Sequence, residues 1–200
     1  MLCSLLDRSQ GLELVATIKA SQIASNLDLL ETTCKTISTR LLVQSALRRY
    51  NEGNRTSNNW GYAIPDLQSA LGSRGYLSLY QAILFSKNAS GSQRLLNVTS
   101  DTIPDIVLPS SYANGTSAKL GSQDLGYPSM LYPNLTYTST AGNENSTTVL
   151  AFPDYILGLG SSLLLGPLKI NDSFSLVSLT LPIVNNTSDT DLLGFITYVP

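Results

Sequence analysis

"SFSLVSLTLPIVNNTSDTDLLGFITYVP" occupies residues 173–200, and its reading decides the fold. Two apolar runs, Phe174–Val184 and Leu192–Val199, flank a polar hinge. Both runs are rich in β-branched and aromatic residues, and Asn, Ser, Thr and Asp between them supply turn chemistry. This is the pattern of a β-hairpin. The hinge also carries two overlapping N-x-[ST] triplets, at Asn185 and Asn186.

Upstream segments extend the sheet. "YLSLYQAILFS" (76–86) is aromatic-rich and alternating, "KNASG" (87–91) turns, and "QRLLNVT" (93–99) returns as its partner. "TTVLAF" (147–152) and "DYILGLG" (154–160) supply a further strand and a short irregular piece, and "SLLLGPLKI" (162–170) leads into the closing hairpin. Between them, residues 100–148 are dominated by Ser, Thr, Asn, Gly, Pro and Tyr and read as a long insertion. "AIPDLQSALGSRG" (63–75) is a short helix, with Pro65 in its first turn and glycine at its end.

The first fifty residues read as one helix from about Leu12 to Tyr50, uninterrupted by Pro or Gly and stopped by "YNEGNRTSNN". Ala16, Ala20, Ile23, Leu27, Leu30, Cys34, Ile37 and Leu41 alternate spacings of four and three, which is a heptad seam. The part Ile23, Leu27, Leu30, Cys34, Ile37, Leu41 is expected to pair two copies of the chain in a homodimer. Cys3 and Cys34 cannot bond to each other along one helix. Cys34 is either a small buried apolar residue or the neighbour of Cys34 in a second chain. The expected organisation is therefore residues 1–52 as a dimer or stalk helix and residues 53–200 as a separate module. The fold class is α+β: a long N-terminal helix and an antiparallel sheet flanked by helices.

Composition removes several classes of function. Of 200 residues, 13% are charged, 42% are apolar, and the net charge is −2, with no basic cluster to track a phosphate backbone. Nucleic acid is not an expected partner. With no histidine and only two cysteines, the usual general base, the Ser-His and Cys-His pairs and a structural zinc site are all missing. "GLGSSLLLG" (158–166) lacks the third glycine and βαβ setting of a phosphate cradle and reads as a turn. The pairs Asp101/Asp105 and Asp189/Asp191 sit among turn formers and read as solvated loop acids rather than glycosidase carboxylates. No catalytic residue, metal or cofactor is expected.

Nine of the fourteen asparagines stand in N-x-[ST] triplets: Asn54, Asn88, Asn97, Asn114, Asn134, Asn145, Asn171, Asn185 and Asn186. Chance gives roughly three. The excess points to a secretory-pathway chain glycosylated at these positions. All nine follow residue 53, which leaves the N-terminal helix free to pack against something a sugar would obstruct. No signal peptide or membrane span is visible, so any targeting and anchoring segments are expected outside these residues.

"LGPLKINDSFSLVSLTLPIVNNTSDTDLLGFITYV", with "NNWGYAIPDLQSAL" and "YLSLYQAILFS", resembles the extracytoplasmic sensor region of fungal Sln-type osmosensing hybrid histidine kinases. The resemblance implies a PAS- or double-Cache-like module on the outer side of the plasma membrane, in a parent anchored by two transmembrane helices. It implies a parent kinase that reports turgor through a phosphotransfer protein to a response regulator above a stress MAP-kinase cascade. Those partners act on cytoplasmic domains outside this chain. The Arg-x-Trp-Tyr stretch with which bacterial Cache domains hold amino acids is absent, Trp60 standing in "NNWGY". The alternative is a secreted or wall-associated glycoprotein that binds a glycan or a small molecule.

Overall fold

The computed structural model describes residues 2–71, 79–87, 94–100, 133, 135–139, 147–152, 155–171, 174–188 and 190–200. The closing hairpin is as the sequence predicts: β7 (Phe174–Val184) and β8 (Leu192–Val199) pair antiparallel with Leu181 opposite Ile196. β8 is also paired on its other side, to β1 (Gln81–Ser86), which pairs with β2 (Arg94–Thr99), while β6 (Leu163–Asn171) closes the far edge. The five strands run in the order β2-β1-β8-β7-β6, all antiparallel. A separate sheet holds β3 (Thr136–Ser139), β4 (Thr147–Phe152) and β5 (Tyr155–Leu157). The fold class is α+β.

β1 and β8 are central and covered on both faces, which is why they read as nearly continuous apolar runs rather than strict alternation. Every residue of β1, and β8 from Leu193 on, is buried. The polar exceptions are paired across strands: Thr180 and Thr197 face each other in register with their hydroxyls 2.7 Å apart. Pro182 lies beyond Thr180, the last β7 residue paired with β6, so its missing N–H breaks no ladder bond on that side.

The N-terminal helix departs from expectation in two ways. It begins at Leu2, and it is two helices, α1 (Leu2–Ser38) and α2 (Leu41–Asn51), rather than one over residues 12–50. Neither Gly nor Pro makes the break. The Ser38 and Thr39 hydroxyls donate to the carbonyls of Lys35 and Thr36, competing with the helix's own bonds. Arg40 then turns extended, at φ −65° and ψ 127°. At 37 residues, α1 is about 55 Å long.

The backbone divides into two compact units, Met1–Thr33 and Cys34–Pro200. In the second unit α2 lays Val43, Ala46 and Leu47 into the core, and α3 (Ala63–Leu71) adds Ala63, Leu67 and Leu71. Gly194 of β8 is hemmed in by its neighbour strand β1 and by α2: a Cβ there would stand 2.5 Å from the Phe85 carbonyl oxygen and 3.3 Å from Leu47 Cδ2. The first of these is strand backbone and cannot give way as a flexible side chain would. Gly194→Ala is therefore expected to destabilise the chain by about 1–3 kcal/mol through overpacking. A lowered urea midpoint with an unchanged slope checks this, and Gly160→Ala, with open space at its Cβ, serves as control.

Candidate functional site

The α1–α2 joint is held by a buried carboxamide. Gln44 is 1% exposed, yet its side chain is fully engaged. Its Nε2 donates to the carbonyls of Ser38 at 3.4 Å and Val184 at 2.8 Å and to Asn186 Oδ1 at 2.9 Å. Its Oε1 accepts from the Asn186 backbone N–H at 3.1 Å. Asn186 completes the lock by donating from Nδ2 to the Thr39 carbonyl at 2.9 Å. The end of α1, the start of α2 and the β7–β8 turn are thus one hydrogen-bonded knot. Beside it Arg40 pairs with Asp66 of α3, and that hydrogen bond raises the guanidinium above its ordinary pKa against an opposing effect of burial.

Under the joint lies Tyr198. Burial pushes its phenol well above the ordinary range, with Cys34 adding to the rise and Arg40 opposing it. Its hydroxyl is buried and makes no hydrogen bond.

One residue before Asn186, the same turn faces a cleft of about 480 Å³. The end of α2 contributes Arg48, Asn51 and Glu52, and Lys87 follows β1. Asn185, Thr187 and Asp191 come from the turn, with Leu193 as the apolar contribution. The turn is braced internally: Asn185 Nδ2 donates to Asp191 Oδ2 at 2.9 Å, and Asn185 Oδ1 accepts from Thr187 Oγ1 at 2.9 Å and Arg48 at 3.2 Å. Asn51 Nδ2 donates to the Leu193 carbonyl at 2.9 Å, but its buried Oδ1 accepts nothing. Among the described residues, side chains of both charges line this space. Among the described residues no group of three His, Cys, Asp or Glu could hold a metal.

The expected dimer seam is divided. Ile23 and Leu27 are exposed, at 61% and 39%, whereas Leu30, Cys34 and Ile37 are buried within the chain itself. Leu41 is 68% exposed but belongs to α2, so it is not in line with the others. Cys34, at 0% exposure, is buried within the chain, the first of the two readings open to it. Heptad spacing could not make this distinction, because an intrachain core and a helix pair ask for the same apolar period.

The sequons also differ. Asn54 is exposed; its Oδ1 accepts from Thr56 Oγ1 at 2.7 Å and its Nδ2 makes no hydrogen bond within the described residues. Asn97 is exposed on β2, where its Oδ1 accepts from Gln81 at 2.9 Å. Asn185 and Asn186 commit their Nδ2 groups to Asp191 and Thr39. Asn171 is the last residue of β6, and Asn88, Asn114, Asn134 and Asn145 lie outside the described residues. Asp191 is more than a solvated loop acid, since it braces the turn; Asp101, Asp105 and Asp189 lie outside the described residues. Gln44, Arg48, Asn51 and Lys87 were missed from the sequence. Only Gln44 left a signal there, as a polar residue within the buried stripe Val43, Ala46, Leu47.

No protein-family model matches the chain, and no solved structure matches it. Among characterised proteins it is similar to one osmosensor. That relative is the osmosensing histidine protein kinase SLN1 of Saccharomyces cerevisiae, 31% identical over 122 residues. The match covers 58% of this chain but 9% of the kinase, so the chain corresponds to a small part of that protein's length. Among the described residues no helix is long and apolar enough to cross a membrane.

Two substitutions test the knot and the residue beneath it. Gln44→Leu keeps the volume but strands the Asn186 N–H and the Val184 carbonyl. A loss of about 2–4 kcal/mol is expected in urea unfolding, from desolvated groups left without partners. Tyr198→Phe removes a hydroxyl with no partner and is expected to be neutral or stabilising at pH 7. Because the folded phenol is raised, its contribution is complete below the unfolded tyrosine pKa of about 10 and is lost as pH rises above it. The variant should therefore lose less stability than the parent between pH 9 and pH 11, read from unfolding midpoints across that range.

Proposed function

We propose that this chain is the extracytoplasmic sensor module of a transmembrane hybrid histidine kinase. The parent would detect osmotic or turgor change and signal through a phosphorelay to a stress MAP-kinase pathway. The observation that carries the reading is the 31% identity to the yeast osmosensing histidine kinase across 58% of the chain. A five-stranded antiparallel sheet flanked by helices and preceded by a long helix supports a PAS- or Cache-like module. In this reading the module does no chemistry; phosphoryl transfer belongs to the cytoplasmic part of the parent, which also meets the phosphotransfer protein.

The module works as a homodimer on the outer side of the plasma membrane. The exposed stretch of α1, with Leu12, Ile23 and Leu27, is the dimer surface in place of the full seam. A stimulus that changes how two such helices pair biases a two-state kinase, and a few kcal/mol of differential stabilisation is enough. The chain is a glycoprotein, and Asn54 is its best-suited described sequon because a sugar there displaces no hydrogen bond. A second reading, a secreted or wall-associated glycoprotein that binds a glycan or small molecule, draws on the polar cleft and needs no kinase.

The test is a chimaera in which this chain replaces the matching segment of the yeast kinase. Response-regulator phosphorylation should change when external osmolarity is stepped. Ile23→Glu with Leu27→Glu should abolish that response and shift the 200-residue chain from dimer to monomer in sedimentation. Output that ignores osmolarity while the chimaera reaches the surface would overturn the sensor reading in favour of the second. Mass spectrometry of chain secreted from a fungal host should find Asn54 occupied more fully than Asn185 or Asn186.

A further inference from the structure

The joint between α1 and α2 connects two helices that bury different faces. At about 100° per residue, Leu30, Cys34 and Ile37 fall within about 60° of one another on the helix surface. Continued through the joint, the same spiral puts Val43, Ala46 and Leu47 about 200° away. Both sets of side chains are buried. One unbroken helix therefore cannot lay both sets into the core of its own chain, and the break at Thr39 and Arg40 supplies the missing rotation. An unbroken helix can bury both sets only if its two faces meet two different cores.

Little in the local sequence enforces the break. Residues 36–44 contain neither Gly nor Pro, and Arg40, at the N-cap of α2, makes no side-chain cap bond. The Ser38 and Thr39 hydroxyls, bonded to the Lys35 and Thr36 carbonyls, are the local contribution to it. The broken form also carries a cost, because Arg40 Nε is buried at the joint and donates to nothing among the described residues. Leu41, the first residue of α2, is 68% exposed. In an unbroken helix it falls in line with Leu30, Cys34 and Ile37 and completes their face. Straightening gives up the bonds of the Ser38 and Thr39 carbonyls to Gln44 and Asn186. Those carbonyls then accept from the first N–H groups of α2 as ordinary helix bonds. The shorter bonds of Gln44 to Val184 and Asn186 stay, because α2 does not leave its own core.

We propose that two copies of this chain form a dimer by exchanging α1 across this joint, each helix running unbroken from α1 into α2. Val43, Ala46 and Leu47 stay in the core of their own chain. Leu30, Cys34 and Ile37 enter the same place in the second copy, and Leu41 is covered beside them. Each buried apolar contact is kept in kind and only the hinge changes, which is what makes exchange of an identical element a low-cost route to a dimer. This gives an architecture to the homodimer of the proposed function, and it rests on that dimer but not on the osmotic stimulus.

The experiment is sedimentation of the chain and of two hinge variants, with isotope-filtered nuclear magnetic resonance on a mixed sample. Leu41→Pro suits the broken joint: proline is favoured at the first helical position, and Arg40 before it is already extended, at ψ 127°. Proline forbids the unbroken helix, so dimerisation should weaken at least about a hundredfold while the unfolding midpoint of the monomer holds. Thr39→Ala, at an exposed position, removes the competing hydroxyl and raises helix propensity, so dimerisation should tighten about threefold. Cys34 lies close enough to Tyr198 to act on its phenol. In a dimer refolded from equal parts of labelled and unlabelled chain, contacts between these two residues should appear across chains. A dimer that Leu41→Pro leaves unchanged, or whose Cys34–Tyr198 contact stays within one chain, overturns the exchange. Either result leaves the homodimer of the proposed function standing, because Leu41→Pro does not touch Ile23 or Leu27. A parent chain and a Thr39→Ala variant that both stay monomeric at about 0.5 mM overturn the exchange and that homodimer together. The osmotic response of the chimaera is read separately, so the sensor reading stands or falls on its own.

Discussion

The buried side-chain amide of Gln44 ties the helical and sheet parts of the main unit together by polar bonds. It is buried, and it reaches Ser38 before the helix break, Val184 at the end of β7 and Asn186 in the turn. A carboxamide placed there is favourable only if every donor and acceptor is met, because desolvating an unmet one costs about 1–3 kcal/mol. That demand fixes three backbone segments at once. The closing hairpin cannot slip by one residue, since Asn186 would then surrender both its N–H and its side chain. Within one chain the two helices stay apart, since in a merged helix the Thr39 carbonyl would turn away from Asn186.

From this knot two consequences spread in opposite directions along the chain. Towards the sheet, only glycine fits at position 194 of β8, where a Cβ would meet the Phe85 carbonyl of β1 and where Leu47 of α2 packs close by. Towards the N-terminus, the apolar face of α1 changes role part-way along. Leu30, Cys34 and Ile37 belong to the core, while Leu12, Leu14, Val15, Ile18, Ile23 and Leu27 are exposed. An amphipathic helix has little stability of its own and needs its stripe covered. One half of the stripe meets that need in its own chain; the other half is exposed.

The electrostatics follow the same geography. Arg40 and Asp66 make their ion pair at the joint, where the break in the helix releases Arg40 to reach α3. Tyr198 is placed beneath with a phenol that burial keeps protonated, in a position where a phenylalanine would pack as well.

The sequence by itself determined the four strands β1, β2, β7 and β8 and the fold class. Val, Ile, Leu and Phe in runs bounded by turn formers can do little but pair as buried strands, so β1, β2, β7 and β8 were legible, as was α3 behind Pro65. Local propensity also showed a long N-terminal helix. It did not show the break at Thr39 and Arg40, because no residue there forbids a helix; the break exists because Arg40 and Gln44 gain partners that are distant in sequence, at Asp66 and Asn186. Tertiary structure alone decided that Cys34 faces inward while Ile23 faces out, since a period of 3.5 residues specifies a face but not what covers it. It also decided the cleft, whose described residues come from three separate stretches of chain and carry no shared motif. Proximity across a sheet is set by register and packing, and neither is written in the spacing of any one segment.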